Sequence, residues 1–201
     1  MPFLKGNLHA HTTFSDGRRP IGEVIERYRE MGYGFLAITD HEDRVGDDYW
    51  FNIPAGGDGM LVLPGIELNY FPLSQHVGKV TGDRETLYVL NHPARYGLGV
   101  PQILYRIEEI TGAGLPIHAI EVTDTGVYQA QHDVDTISLP KIATDDSHRD
   151  DEFGRAWVEV DAARSPDAII RAIKAGDFRV GFATSPPEPR GRGFDLLGLA
   201  D

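Results

Sequence analysis

Asn7-Leu8-His9-Ala10-His11-Thr12-Thr13-Phe14-Ser15-Asp16-Gly17 is the stretch on which the reading of this chain turns. Its first residues end a run, 3–9, that reads as a β-strand. Side chains two apart on an extended strand share a face, so His9 and His11 can reach one metal ion together. Asp16 comes next, inside the turn-like Ser15-Asp16-Gly17.

Working outward, short apolar runs alternate with amphipathic stretches. Residues 21–31 read as a helix with Val24, Ile25 and Tyr28 on one face, and 35–39 as a second strand entered through Gly32 and Gly34. Residues 60–68 read as a third strand, punctuated by Pro64-Gly65, and 87–91 as a fourth. A helix over 103–110 stops at Gly112 and Gly114, and short strands are expected over 117–122, 141–144 and 156–160. Ser165 as cap, Pro166 at the first turn, Asp167 and a terminal Gly176 delimit a helix over 166–175, with a last strand over 178–183. Strands alternating with helices predict an α/β chain of βα units around a mainly parallel sheet or barrel.

The chain has 201 residues, 41% of them hydrophobic and 25% charged, which suits one compact domain. Cys is absent, so disulfides, thiolate metal sites and Cys nucleophiles are excluded. A formal charge of -12 argues against nucleic acid as a partner, because phosphate-backbone binding relies on Lys and Arg. Neither a signal-like apolar core at the N-terminus nor an 18-residue apolar run is present, which predicts a soluble, cytoplasmic protein without membrane attachment. Pro186, Pro187 and Pro189, with Arg190 and Arg192 between glycines, predict an extended C-terminal tail over 185–201, leaving 1–184 as the folded domain.

Potential nitrogen and oxygen ligands gather at the predicted strand ends. His41 closes Ile38-Thr39-Asp40-His41, Glu67 closes Gly65-Ile66-Glu67 with His76 in the following loop, and His92 sits in Asn91-His92-Pro93. Asp146 and His148 follow the 141–144 strand, again two apart. Any one of these alone reads more simply as a turn, a cap or a structural histidine. Together, in a parallel array whose strand ends converge on one face, they point to a polynuclear metal site. Imidazole with carboxylate suits Zn, Fe or Mn, and the reaction class this implies is hydrolysis by metal-activated water.

These motifs resemble the PHP (polymerase and histidinol phosphatase) superfamily of metallohydrolases. The elements carrying the resemblance are 7–17, Ile38-Thr39-Asp40-His41, Gly65-Ile66-Glu67 with His76 and His92, and Thr144-Asp145-Asp146-Ser147-His148. The second half is similar to the carbaryl-hydrolase-like branch, through Ile120-Glu121-Val122, Trp157-Val158-Glu159-Val160 and residues 172–178. The resemblance implies a distorted (β/α)7 barrel with three divalent metal ions (Mn, Fe or Zn). One ion would take His9, His11, Glu67 and Asp146; a second would share Glu67 and take His76 and His92; a third would take Asp16, His41 and His148. Glu67, Asp146 and His148 would serve catalysis directly. The short stretch between His76 and Leu87 allows an abbreviated barrel and excludes an inserted cap domain.

The expected activity is phosphoesterase cleavage of a small phosphorylated substrate. Hydrolysis of a carbonyl ester, carbamate or amide at the same centre is the alternative, and a non-catalytic metal-binding module a third reading. Arg95 and Arg149 are the candidate substrate-binding cations, with Arg44 behind them. Asp40 and Asp145 adjoin ligands and suit either a cap or the orientation of an imidazole. Glu121 suits either a structural role or the cleft, while His118 and His132 fall outside the ligand pattern. Tyr70 and Phe71 suit either the core or an apolar wall beside the site.

Overall fold

In the computed structural model, residues 3–57 and 59–184 are described; the expected tail over 185–201 lies outside them. The first half of the chain forms β1 (Leu4–Asn7), α1 (Ile21–Glu30), β2 (Phe35–Ile38), α2 (Tyr49–Asn52), β3 (Gly56–Gly57) and β4 (Met60–Tyr70). Then come β5 (Gln75–Thr81), β6 (Thr86–Leu90), α3 (Val100–Gly112), β7 (Ala119–Glu121), β8 (Thr123–Asp124) and β9 (Val127–Tyr128). The chain continues through β10 (Lys141–Ile142), β11 (Ala156–Val160), α4 (Pro166–Ala175) and β12 (Phe178–Phe182). No helix among the described residues is long and apolar enough to cross a membrane.

The main sheet runs β10-β7-β6-β5-β4-β2-β1-β11-β12, with β3 added against β4. It curls into a nearly closed, distorted barrel. Strand β2 lies deep in it, buried on both faces, which is why Phe35-Leu36-Ala37-Ile38 is an unbroken apolar run. Phe35 and Ala37 join a cluster with Leu63, Val89, Val158 and, from α4, Ile169, Ile170 and Ile173. Leu36 and Ile38 turn the other way and pack with Val24 and Tyr28 of α1. A third cluster seats Ile103 and Ile110 of α3 against Val77, Leu90 and Ile120. Helix α4 has the limits its sequence signals: the Ala168 N–H donates to Ser165 Oγ at 3.3 Å, and Gly176 takes the left-handed conformation.

Two sequence expectations are corrected. Pro64-Gly65 does not interrupt the third strand. It marks a change of partner: Leu61 to Pro64 pair in parallel with β2, and Gly65 to Tyr70 pair antiparallel with β5. A side chain at Gly65 would approach the Ile38 carbonyl oxygen to 2.8 Å, so only glycine lets the strand turn that corner. His76, expected in a loop, lies in a strand: residues 75–81 form β5, which pairs antiparallel with both β4 and β6. The sheet is therefore mixed, not mainly parallel. Hairpins replace the helices of a complete βα array through this part of the barrel.

Strand β1 positions the first ligand pair and is itself seated by a close approach. Gly6 lies opposite Phe35 in the β1–β2 ladder, and a Cβ there would fall 2.2 Å from the Phe35 ring. Replacing Gly6 with Ala must displace a fully buried ring; overpacking of this kind costs roughly 1–3 kcal/mol. Urea denaturation should show a matching fall in midpoint for Gly6→Ala, and an unchanged midpoint would contradict the packing described.

Candidate metal centre

The nine expected ligands come together where the strands end. Beyond β1 the chain stays extended: Ala10 bridges to Ser147, and the His11 N–H donates to the Ser147 carbonyl at 3.0 Å. The two-residue alternation thus persists, and His9 and His11 face the same way, with Nε2 atoms 3.0 Å apart. Asn7 ties this strand end to the 144–148 loop. It accepts from the Asp145 N–H and donates to the His9 carbonyl and to Tyr28 Oη.

Glu67 lies at the middle, 1% exposed at its side chain. Oε1 stands 3.2 Å from His9 Nε2, 3.2 Å from His76 Nδ1 and 3.0 Å from His92 Nε2. Oε2 faces His41 Nδ1 at 3.0 Å and His11 Nε2 at 3.6 Å. Asp146 Oδ1 lies 3.3 Å from His9 Nε2 and 3.2 Å from His11 Nε2. Asp16 closes the other side, 3.5 Å from His41 Nε2 and 3.3 Å from His148 Nε2. Four overlapping groups result: His9–His11–Asp146, His9–Glu67–His92, His41–Glu67–His76 and His11–Asp16–His41–His148. His76 enters from the start of β5, not from a loop, and pairs across the ladder with Asn69.

Donor atoms about 2.1 Å from a tetrahedral ion stand roughly 3.4 Å from one another. The spacings above fall around that value. Glu67 Oε2, Asp146 Oδ1, His76 Nδ1 and His92 Nδ1 are buried with no hydrogen-bond partner. Buried polar atoms are rarely left in this state, so the donor set fits divalent cations. His92 and Asp146 also take left-handed backbone conformations, with φ of 27° and 46°. Strain of this kind gathers at functional sites.

The charges agree with that fit. Burial pushes Glu67 up, but His9, His41 and His76 bring it well below the ordinary carboxylate range. Burial likewise opposes ionisation of Asp146, and His9 and His11 overcome it, so it too is held low. Burial disfavours the His9 imidazolium, yet Glu121, Asp146 and Glu67 raise it well above its usual 6.5. His11 shifts the other way, lowered by burial and by the neighbouring His9.

Glu121, which the sequence left open, is the main supporting residue. Its Oε1 accepts from His9 Nδ1 at 2.8 Å and from Thr144 Oγ1 at 2.6 Å; its Oε2 accepts from the His92 N–H at 2.8 Å. Nδ1 of His9 is thereby kept as the donor, and Nε2 is turned toward Glu67 and Asp146. Asn91 donates to Glu67 Oε1 at 2.8 Å, a role its place beside His92 did not disclose. Glu152 accepts from the backbone N–H groups of His148 and Arg149 and fixes that loop. Among the described residues Asp40 and Asp145 bond no imidazole directly; they accept from backbone N–H groups and hydroxyls around them. Asp40 accepts from Thr12 and Ser15, and Asp145 from Tyr28 and from the Gly154 and Ala156 N–H groups.

Arg95 reaches the cluster, donating to Asp146 Oδ2 and, at 2.8 Å, to Asp124 Oδ1. Arg44 pairs with Asp16 at 2.8 Å. The Arg149 side chain is exposed and makes no ion pair with the cluster among the described residues. His118 accepts from the Tyr88 N–H, and His132 bonds the Leu98 carbonyl, both outside the site. Tyr70 and Phe71 line a groove that His76 and Arg95 also line.

Comparison with known families matches residues 7–96 to the PHP domain and residues 129–178 to a PHP-associated segment. A two-domain protein of Bacteroides vulgatus, described as containing a predicted PHP-like metal-dependent phosphoesterase, shares the fold at a TM-score of 0.72. The identity is 20%, covering 90% of this chain and 65% of that one. The DNA polymerase/3'-5' exonuclease PolX of Bacillus subtilis is 50% identical over 38 residues, 19% of this chain and 7% of that protein. The 5'-3' exoribonuclease Rnm of Salmonella typhimurium is 36% identical over 70 residues, 31% of this chain. That match covers 22% of Rnm, so the chain spans a minor part of these two curated relatives.

Two outcomes follow for solution experiments. With its folded pKa raised, His9 stabilises the metal-free fold fully below pH about 6.5, and this is lost as pH rises through the raised value. In EDTA, Tm should therefore fall as pH rises above neutral. A bound divalent ion displaces the proton, so the gain in Tm from added Mn should grow over the same range. A gain in Tm that shrinks as pH rises would contradict the ligand set. Glu121→Gln should weaken metal affinity about 10–100-fold in a chelator competition, as loss of an imidazole-orienting carboxylate does; unchanged affinity would remove its supporting role.

Proposed function

The chain belongs to the PHP superfamily, and from that premise we propose that it is a metal-dependent phosphoesterase acting on a small phosphorylated molecule. The observation that carries this reading is the pair of unpartnered carboxylate oxygens, Glu67 Oε2 and Asp146 Oδ1, among converging imidazoles. In this reading three divalent ions, Mn, Fe or Zn, are held in the sets implied by the resemblance: His9, His11, Glu67 and Asp146; Glu67, His76 and His92; and Asp16, His41 and His148. Such ions supply Lewis acidity and lower the pKa of bound water toward about 7. Glu67 belongs to two of these sets and would be shared between their ions. Glu67, Asp146 and His148 are the protein groups assigned to the reacting centre. The reading places catalysis in residues 1–184, in a cytoplasmic protein.

Arg95 supports a phosphoryl over a carbonyl substrate. An apolar groove at Tyr70 and Phe71 with no arginine near it would suit a carboxylic ester or carbamate. Here Arg95 lines that groove and is steered by Asp124 toward Asp146, where its planar fork suits a phosphoryl oxygen. Arg149, next to His148, is assigned as the second cation. Two relatives bear exonuclease names, whereas the charge of -12 disfavours a long polyanion. The substrate panel therefore includes short oligonucleotides beside phosphomonoesters and phosphodiesters.

Protein reconstituted with Mn should release phosphate from at least one phosphoester in an EDTA-sensitive way, and Glu67→Ala should reduce that release to background. Full turnover by Glu67→Ala, or no cleavage of any phosphoester by metal-loaded protein, would overturn the proposal.

A further inference from the structure

We propose that the groove beside the metal cluster receives an aromatic ring carried by the substrate, a specificity that rests on the phosphoesterase reading above. The groove is a cavity of about 300 Å³ where β4 turns into β5. Tyr70, Phe71 and Tyr96 give it three aromatic rings, and His76 and Arg95 line it as well, so it is continuous with the cluster.

The rings are held in place by the local chain. Phe71 stands 76% exposed. It opens a single 3-10 turn, Phe71–Leu73, stiffened by Pro72 and ended by Ser74 at φ 48°. Tyr96 is tied from two sides: the His76 N–H donates to its hydroxyl at 3.2 Å, and the Arg106 guanidinium lies 5.2 Å from its ring centroid. Its ring is tilted 36° to that of His92 at 5.9 Å, so the groove's wall adjoins the imidazole cluster directly.

Size and charge narrow the occupant. A cavity of roughly 150 Å³ holds one benzene, so this groove suits one ring with a short linker rather than a chain of units. Although the protein carries 31 acidic residues, no carboxylate lines the groove among the described residues. Aromatic rings favour other rings through offset or edge-to-face contacts as well as burial. A phosphoester whose phosphoryl group meets the cluster and Arg95 would lay its attached ring between Phe71 and Tyr96.

Non-hydrolysable phosphonates test this on the Mn-loaded full chain by calorimetry. We expect 2-phenylethylphosphonate to bind about tenfold more tightly than ethylphosphonate, about 1.4 kcal/mol, and 2-cyclohexylethylphosphonate to fall between them. Phe71→Ala, a change at an exposed position, should bring the phenyl and ethyl affinities within about twofold. Equal affinities in the wild-type chain, cyclohexyl binding as tight as phenyl, or a preference untouched by Phe71→Ala would each overturn the proposal. Because no turnover is read, the two readings fail separately. A ring preference without cleavage of any phosphoester removes the phosphoesterase assignment alone. Cleavage without a ring preference, or without binding of any phosphonate, removes the groove's role alone.

Discussion

Glu67 is a carboxylate buried among apolar strands, and a buried charge is tolerated only where partners compensate it. Nitrogen atoms of five histidines lie between 3.0 and 3.6 Å from its two oxygens. Asn91 supplies a hydrogen bond to one oxygen, and the other has none. Imidazoles alone satisfy this arrangement poorly at His9, whose Nδ1 already donates to Glu121, so its Nε2 can donate to Glu67 only as the imidazolium. Burial opposes protonation at His9, His11 and His41; the carboxylates overcome it at His9 and His41 but not at His11, so the imidazoles cannot all be charged together. Divalent cations held among the same atoms would resolve the conflict, and this requirement links the barrel's shape to its chemistry.

The fold delivers the ligands by a change of strand partner. Up to Pro64, strand β4 continues the parallel array of β1 and β2, which sends His9, His11 and His41 to one end. Past Gly65 it leaves that array and pairs antiparallel with β5, so that Glu67 stays at the same end while β5 brings His76 back beside it. Strand β6 then returns in parallel with β7, which places His92 and Glu121 side by side. The short hairpins do here what crossover helices do elsewhere in the barrel.

Much of this was legible in the chain itself. His9-Ala10-His11, the ligands at strand ends and the cap signals of α4 are local patterns, and local patterns survive folding. Strand β5 was not legible, because Gln-His-Val-Gly-Lys-Val-Thr has only two apolar side chains, and its strand character comes from neighbours on both sides. Pro64-Gly65 reads as a break because a proline and a glycine look alike at a turn and at a corner within a strand. Glu121 lies 112 positions from His9, so no spacing rule could single it out. Asp40 and Asp145 adjoin ligands in sequence yet accept from hydroxyls and backbone N–H groups around the ligand-bearing loops, since those loops need fixing as much as the imidazoles do.

The most direct test is a crystal structure of the Mn-reconstituted chain with anomalous data collected on either side of the Mn absorption edge. The account predicts Mn-specific peaks among the nine ligands, with Glu67 contacting two of them through its two oxygens and His9 still bonded to Glu121. A cluster that stays free of anomalous peaks at saturating Mn, with Glu67 paired only to protonated imidazoles, would contradict it.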